Sequence, residues 1–223
     1  MRTIRLTIFF LLLTNFVFGQ DHSFDTTLVN NKKNFVIETK VIRNDMLLLT
    51  TTSGTLTNDI DTIERGGLAY IKYPDFNKDG NADILIDYYG NNSTYSLYIF
   101  DPETNKFREI ENYSNFPDAI QLKTNSKYYY SYHRAGCADM NWVSDFFKIQ
   151  KFKIIQLGHI DGRGCDFEVK KNLQVIKIYK VTDNKEENGK LVENLPYLKF
   201  IPEFGDKWDF IEKYWNKNYK QFE

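Results

Sequence analysis

Apolar and polar residues alternate in short runs along most of this chain, and turn-forming residues separate the runs. Alternation with a period of two, rich in β-branched and aromatic side chains, is typical of β-strands. The predicted strands cover residues 34–42, 46–52, 68–73, 83–89, 94–100, 106–110, 127–133, 142–150, 152–158 and 173–181. Their regular spacing predicts a mostly β fold, a single antiparallel domain that is propeller-like or sandwich-like.

The end of the chain departs from this pattern. Trp208, Ile211 and Trp215 recur at helical spacing and would share one face of an amphipathic helix. Asp206 precedes that face and is a candidate N-cap. We expect a short C-terminal helix that packs on the β body, and the alternative is a helix that binds a partner.

The first 19 residues have the features of a secretory signal peptide. Arg2 and Arg5 precede a mostly apolar stretch from Leu6 to Phe18, which is shorter than the roughly 20 apolar residues that cross a bilayer. Cleavage after Gly19 would export the mature chain to the periplasm or the extracellular space, without a transmembrane segment. An uncleaved anchor is the alternative.

Composition and length limit the domain count and the kinds of partner. Residues 20–33 are polar and predict a flexible N-terminal segment, whereas residues 34–223 suit a single β-rich domain. Loss of Arg2 and Arg5 with the signal peptide shifts the formal net charge from −1 to −3. A chain without a basic excess is not expected to bind nucleic acid.

One loop between two predicted strands has the spacing of a calcium site. A calcium ion takes six to eight oxygen ligands, which alternate residues of a flexible loop can supply around a glycine at the sharp bend. Gly80 occupies that position, and Asn81 would use its backbone carbonyl. The candidate metal ligands are Asp75, Asn77, Asp79, Asn81 and Asp83. Magnesium suits this loop less well, because it prefers a water-rich octahedral site with one or two carboxylates.

The loop differs from the EF-hand of calcium sensors. The position at which an EF-hand carries a bidentate glutamate is Ile86, and Asp87 would point to the opposite face of a strand. The apolar run that follows the loop also favours a strand over the exiting helix of an EF-hand. These differences predict a structural calcium ion rather than a sensor site.

Cys137 and Cys165 are the two cysteines of the chain. In an exported protein such a pair predicts a disulfide, because thiols oxidise and stay oxidised outside the cytosol. The alternative is a zinc site that includes His133 and His159, although the spacing matches no common structural-zinc pattern.

The sequence contains no recognisable catalytic motif. A Gly-x-Ser-x-Gly elbow and a His-Glu-x-x-His motif are both absent, so we do not expect an enzyme. Tyr128, Tyr130 and Tyr132 would share one face of a strand. We expect ordinary half-buried sheet packing there, and a recognition surface is the alternative.

The order of several features resembles a known family. These features are the loop at residues 75–83, Gly90, the aromatic hairpin at residues 97–107, and the Cys137, Trp142 and Cys165 region. Together they resemble exported bacterial proteins that carry one calcium loop in a β-propeller-like body. The loop alone is similar to integrin-type calcium repeats.

That resemblance implies a calcium ion and a function in protein recognition. The family includes periplasmic immunity proteins and is similar in fold to lysozyme inhibitors, so a lysozyme-like cell-wall lytic enzyme is the expected partner. Two other functions stay open. A carbohydrate- or surface-binding module of the cell envelope would use the abundant aromatic side chains, and an envelope hydrolase would use carboxylates not yet assigned.

Overall fold

The structure is a computed structural model that describes residues 24–43, 45–90, 94–168, 173–182 and 185–223. The predicted signal peptide and the first residues of the predicted N-terminal segment lie outside the described residues. Within them the chain is mostly β, with antiparallel sheets and a short C-terminal helix, as the hydrophobic pattern predicts.

Three antiparallel sheets follow one another along the chain. Sheet 1 contains β1 (Thr26–Asn30), β2 (Lys33–Arg43), β3 (Met46–Ser53) and β4 (Leu56–Glu64). Sheet 2 contains β5 (Leu68–Lys72), β6 (Ile84–Tyr88), β7 (Thr94–Asp101) and β8 (Lys106–Glu109). Within each of these two sheets, spatial order follows chain order.

Sheet 3 is the largest and carries the helices. Its strands are β9 (Ile120–Gln121), β10 (Tyr128–Tyr130), β11 (His133–Arg134), β12 (Asn141–Gln150), β13 (Lys153–Arg163), β14 (Val175–Thr182) and β15 (Lys185–Pro196). Their order is β15-β14-β13-β12-β10-β9, and β11 also pairs with β12. The short helix α1 (Tyr197–Phe200) and the longer helix α2 (Asp206–Asn218) follow.

Sheet 2 is the middle layer of the fold. Tyr98 and Phe100 on β7 belong to the apolar cluster shared with sheet 1, whereas Leu97 and Ile99 belong to the cluster shared with sheet 3. Alternate residues of one strand point to opposite faces, so β7 is buried on both sides. A third cluster lies between sheet 3 and α2 and includes Trp215. The architecture is therefore a layered sandwich.

Several strands differ from the sequence prediction. Within the range predicted to be flexible, residues 20–33, Thr26–Asn30 forms β1 and pairs with β2 along its whole length. Residues 56–64 and 185–196 form the edge strands β4 and β15, which the hydrophobic pattern does not predict. Residues 127–133 form two short strands rather than one. Edge strands expose more polar side chains, so their hydrophobic alternation is weak.

The tyrosine run of β10 is buried on both faces. Tyr128 and Tyr130 face the cluster beneath α2, and Tyr132 beyond the strand joins the same cluster. Tyr129 faces the cluster between sheets 2 and 3 and is only 4% exposed. The predicted alternation is confirmed, but the expectation of half-buried packing is wrong because sheet 3 is covered on both sides.

The C-terminal helix packs on sheet 3, as its periodicity predicts. Ile211 and Trp215 are buried, whereas Trp208 remains 46% exposed and rests on Tyr132. The predicted N-cap is wrong by one residue, since the cap position is Gly205 and no side chain caps the helix. Among the described residues, no helix is long and apolar enough to cross a membrane.

Gly162 has a packing role that the sequence does not reveal. It lies opposite Trp142 in the β12–β13 ladder, and a Cβ at Gly162 would lie 2.3 Å from Cε2 of the indole. Trp142 is fully buried, and its Nε1 donates to the Tyr197 hydroxyl at 3.1 Å. The ring therefore cannot move away without losing a hydrogen bond in a closely packed core.

We expect Gly162→Ala to lower the free energy of unfolding by about 2 kcal/mol, because it overpacks the core against the Trp142 ring. Gly66→Ala is the matched control, since no atom lies within 4 Å of a Cβ there. The control should be neutral or slightly stabilising. Urea unfolding of both variants measures the difference, and equal stabilities would contradict this account.

Candidate functional site

The predicted calcium loop connects β5 to β6 in the middle sheet. Its glycine adopts the backbone conformation that the spacing predicts, with φ of +91° at Gly80. Lys78 also has positive φ, at 58°. The loop closes where the Asp83 N–H donates to the Pro74 carbonyl at 2.7 Å. The chain therefore forms a tight arc in which alternate side chains turn toward its own amides.

Side-chain oxygens converge on the arc. Oδ1 of Asp75 and Oδ1 of Asn77 both accept from the Asp79 N–H, at 3.0 and 3.1 Å. The other oxygen of Asp75 accepts from the Gly80 N–H at 3.0 Å. Asp79 in turn accepts from the Asn81 N–H at 2.8 Å and from the Asn77 amide at 2.9 Å. The loop thus brings together Asp75, Asn77 and Asp79 as predicted.

Asp83 differs from the other candidate ligands in being fully buried. Its two carboxylate oxygens accept from the N–H groups of Phe76 and Phe100, each at 2.9 Å. Burial raises the pKa of the Asp83 carboxyl to about 7, and the nearby charge of Asp79 adds to the rise. A carboxylate has about four lone-pair positions, so these two hydrogen bonds leave acceptor capacity for a cation.

Sheet 1 holds one end of the loop. Asn30 is fully buried in β1 and forms two hydrogen bonds with Ala82: its amide donates to the carbonyl at 2.7 Å and its Oδ1 accepts from the N–H at 2.8 Å. The Asn31 N–H donates to Oδ1 of Asn81 at 2.8 Å. The Asn81 side chain is used in this contact, and the expected ligand at this position stays its backbone carbonyl.

Sheet 3 holds the other end. The Gln121 amide donates to the Asn77 carbonyl at 3.1 Å. Phe76 stacks on Tyr129 with ring centroids 5.0 Å apart and planes 7° apart, and it meets Tyr113 edge-on. The loop belongs to sheet 2 and contacts both neighbouring sheets, so its conformation is coupled to all three layers.

The carboxylates of the loop form no ion pairs within the part of the chain that the structure describes. No lysine or arginine of the described residues forms an ion pair with Asp75, Asp79 or Asp83, whereas Asp87 pairs with Lys72 at 3.2 Å. The described part of the chain also contains no group of three or more His, Cys, Asp or Glu side chains arranged to hold a metal ion. The donor set here is mixed, with asparagine and backbone oxygens beside the carboxylates, and such hard oxygen donors fit calcium.

The differences from an EF-hand are also visible in the structure. Ile86 is fully buried in β6, and Asp87 is engaged with Lys72. Neither residue is available as the missing bidentate ligand. The residue after the loop enters a strand rather than a helix, as predicted.

The cysteines form the predicted disulfide, Cys137–Cys165. The zinc alternative is therefore wrong, because zinc binds thiolates and both sulfurs are used in the bridge. A disulfide of this kind forms and persists in oxidising, exported environments. Helix α2 supports the bridge, since the buried Lys207 donates to the carbonyl of Asp139 at 2.8 Å and pairs with its carboxylate at 3.1 Å.

Sheet 3 contains an acid–histidine pair, the buried Asp145 and the half-buried His159, which no sequence pattern predicts. Nδ1 of His159 lies 2.7 Å from Oδ1 of Asp145, and the Gln156 amide donates to the same oxygen at 2.8 Å. Asp145 and His159 are direct partners in the β12–β13 register. Only the strand register places them together, so no local motif could have identified the pair.

No protein-family profile matches the sequence, and no curated protein sequence matches it. Among solved structures, the chain is similar to one described as "Structure of a Xanthomonas Type IV Secretion System related protein". The identity is 15% and the TM-score is 0.48, and the match covers 76% of this chain and 93% of that chain.

Proposed function

We propose that this chain is an exported calcium-binding protein that acts by recognising another protein in the periplasm or outside the cell. We further propose that the partner is a lysozyme-like cell-wall lytic enzyme, which this chain inhibits, for example as an immunity protein. One observation carries the proposal: the loop of residues 75–83 is hydrogen-bonded to the strands or turns of all three sheets.

Calcium would have a structural function at this position. Asp75, Asn77, Asp79 and Asp83 would supply side-chain oxygens, and Asn81 would supply its carbonyl. Three carboxylates without a cationic partner repel one another, and a divalent ion would remove that repulsion when bound. Because the loop contacts sheets 1 and 3, ion binding would stabilise the positions of the three sheets relative to one another.

The proposed recognition function is supported by contacts between the features on which the family resemblance rests: the loop, the aromatic hairpin and the disulfide region. The Asp83 carboxylate accepts the Phe100 N–H, so the calcium loop and the aromatic hairpin form one unit. The disulfide and α2 stiffen the far side of sheet 3. A rigid, cross-linked β surface suits protein binding, because little conformational entropy is lost on association.

The test is inhibition of cell-wall lysis. The mature chain should suppress the lytic activity of a lysozyme-like enzyme from the same organism at equimolar concentration in calcium, and suppression should weaken in chelator. Turbidity of a cell-wall suspension measures lysis, and gel filtration measures the complex. Full lysis together with no complex in either buffer would count against the proposal.

A glycan-binding module is the second candidate, favoured by one surface. Phe204 and Trp208 are 56% and 46% exposed, and the Lys207 ammonium lies 3.6 and 5.1 Å from their ring centroids. Exposed aromatic rings can stack on sugars. Retention on insoluble peptidoglycan that is lost in Trp208→Ala, with no inhibition of lysis, would favour this function over the first.

A further inference from the structure

The side chain of Asn30, at the end of β1, is fully buried against the loop of residues 75–83. Its amide nitrogen donates to the Ala82 carbonyl at 2.7 Å, and its Oδ1 accepts from the Ala82 N–H at 2.8 Å. Ala82 lies between Asn81 and Asp83, which are two of the proposed calcium ligands. Asn30 is therefore bonded to the main chain of the loop between two ligands, although it is not itself a ligand.

The hydrogen bonds of Asn30 determine the orientation of two consecutive peptide groups. A trans peptide group is planar, so its N–H and its carbonyl point in opposite directions. Because the Ala82 N–H points to Asn30, the Asn81 carbonyl of the same peptide group points away from it. The next peptide group is fixed at both ends, since its carbonyl accepts from Asn30 and its N–H, that of Asp83, donates to the Pro74 carbonyl at 2.7 Å. Asn30 thus sets the direction of a carbonyl that is a proposed ligand.

The Asn81 carbonyl keeps its acceptor capacity. Among the residues that the structure describes, no donor is hydrogen-bonded to this oxygen. The Asn81 side chain is used elsewhere, because its Oδ1 accepts from the Asn31 N–H at 2.8 Å and its amide donates to Oδ1 of Asp79 at 2.9 Å. Calcium sites combine backbone carbonyls with carboxylates, so the orientation of this carbonyl affects the affinity for the ion.

The turn between β1 and β2 holds Asn30 in this position. Asn30 pairs with Lys33 at the end of the ladder, and the two residues between them, Asn31 and Lys32, have positive φ of 47° and 60°. Positive φ at both central residues is typical of a tight two-residue hairpin turn. The Asn31 amide also donates to Oδ1 of Asn105 at 3.1 Å, which ties the turn to the β7–β8 hairpin. Rotation of Asn30 away from the loop would leave a buried amide without its partners, which is unfavourable.

We propose that Asn30 is a positioning residue of the calcium site, which orients the Asn81 carbonyl as a ligand and couples ion binding to the pairing of β1. This inference rests on the proposed function, because it concerns the same ion site. The coupling is reciprocal, as for any two linked equilibria. Removal of the Asn30 amide weakens calcium binding, and bound calcium strengthens the attachment of β1 to sheet 1.

Isothermal titration calorimetry of the mature chain with calcium chloride tests the effect on affinity. Asn30→Ala should weaken calcium binding by roughly tenfold, about the effect of one net hydrogen bond. Leu28→Ala is the matched control, since Leu28 lies on the same strand, is buried on the same face and belongs to the apolar cluster between sheets 1 and 2. The control should lower the free energy of unfolding at least as much as Asn30→Ala, yet keep the calcium dissociation constant within about twofold of wild type.

The outcomes separate this inference from the proposed function. Equal weakening in Asn30→Ala and Leu28→Ala would mean that affinity follows general stability, and would overturn the inference. Unchanged affinity in Asn30→Ala would overturn it as well, while the calcium site of the proposed function would stand. A wild type that does not bind calcium would contradict both.

Hydrogen exchange of the wild type tests the coupling to β1 and does not require that Asn30→Ala folds. β1 and β4 are the two edge strands of sheet 1, and amides of edge strands exchange through local opening. Calcium should slow the exchange of the β1 amides by about the same factor as the loss of affinity in Asn30→Ala, whereas the β4 amides should change little. An equal change in both edge strands, or no change in β1, would overturn the inference.

Discussion

Calcium at about 10 mM should raise the melting temperature of the mature chain by roughly 5–10 °C relative to chelator. With a dissociation constant of about 10⁻⁴ M, that concentration stabilises the folded state by roughly 2.7 kcal/mol. A protein of this size gains roughly 2–4 °C per kcal/mol. The effect is expected to be global rather than local, because the loop is hydrogen-bonded to all three sheets.

Substitutions in the loop identify the ion site. Asp75→Ala and Asp79→Ala should each abolish the rise in melting temperature, because each removes a carboxylate that would bind the calcium ion. Asp59→Ala is the matched control: this exposed carboxylate lies on β4, outside the loop, and its loss should leave the rise intact. Identical melting curves of the wild type in calcium and in chelator would contradict the proposal that the loop binds calcium.

Loss of the disulfide should lower the free energy of unfolding by about 3.6 kcal/mol in the variant Cys137→Ala and Cys165→Ala. The bridge spans a sequence separation of 28, and opening it restores the conformational freedom of that segment in the unfolded chain. Urea unfolding of wild type and variant, both in calcium, measures the difference. The slope of the unfolding free energy against urea reports any change in the compactness of the unfolded state.

Urea unfolding with and without a reducing agent is the control for this prediction. The reducing agent should destabilise wild type and leave the double-alanine variant unchanged, because the variant has no sulfur to reduce. The contacts of Lys207 with Asp139 hold the same segment and should keep the variant folded. A stability loss below about 1 kcal/mol would mean that these contacts, rather than the bridge, hold the segment in place.

The two effects should be additive. Among the described residues, the predicted calcium loop and the disulfide share no hydrogen-bond partner, and sites without common partners contribute independently to stability. The calcium-induced rise should therefore persist in the cysteine variant. The cysteine variant also serves as a control for the loop variants. If it keeps the calcium-induced rise in melting temperature, the loss of that rise in a loop variant is due to the ion site and not to lower stability.

The strands at the edges of the sheets are the part of the fold that the sequence predicts least well. Buried strands such as β7 and β12 carry strong apolar signals, whereas β1, β4 and β15 carry mixed polar side chains and were not predicted. An edge strand is held mainly by main-chain hydrogen bonds to its one neighbour. These bonds do not require apolar side chains at alternate positions, so the sequence of the strand need not alternate.

The sequence by itself determined the mostly β class, the C-terminal helix, the disulfide pair and the bend at Gly80. Each depends on local periodicity, on the number of cysteines or on a backbone conformation that favours glycine. Tertiary structure decided that Asp83 is buried and that Asp145 meets His159. These features depend on strand register and on the layering of the sheets, which bring together residues far apart in the chain and are not encoded in any local pattern.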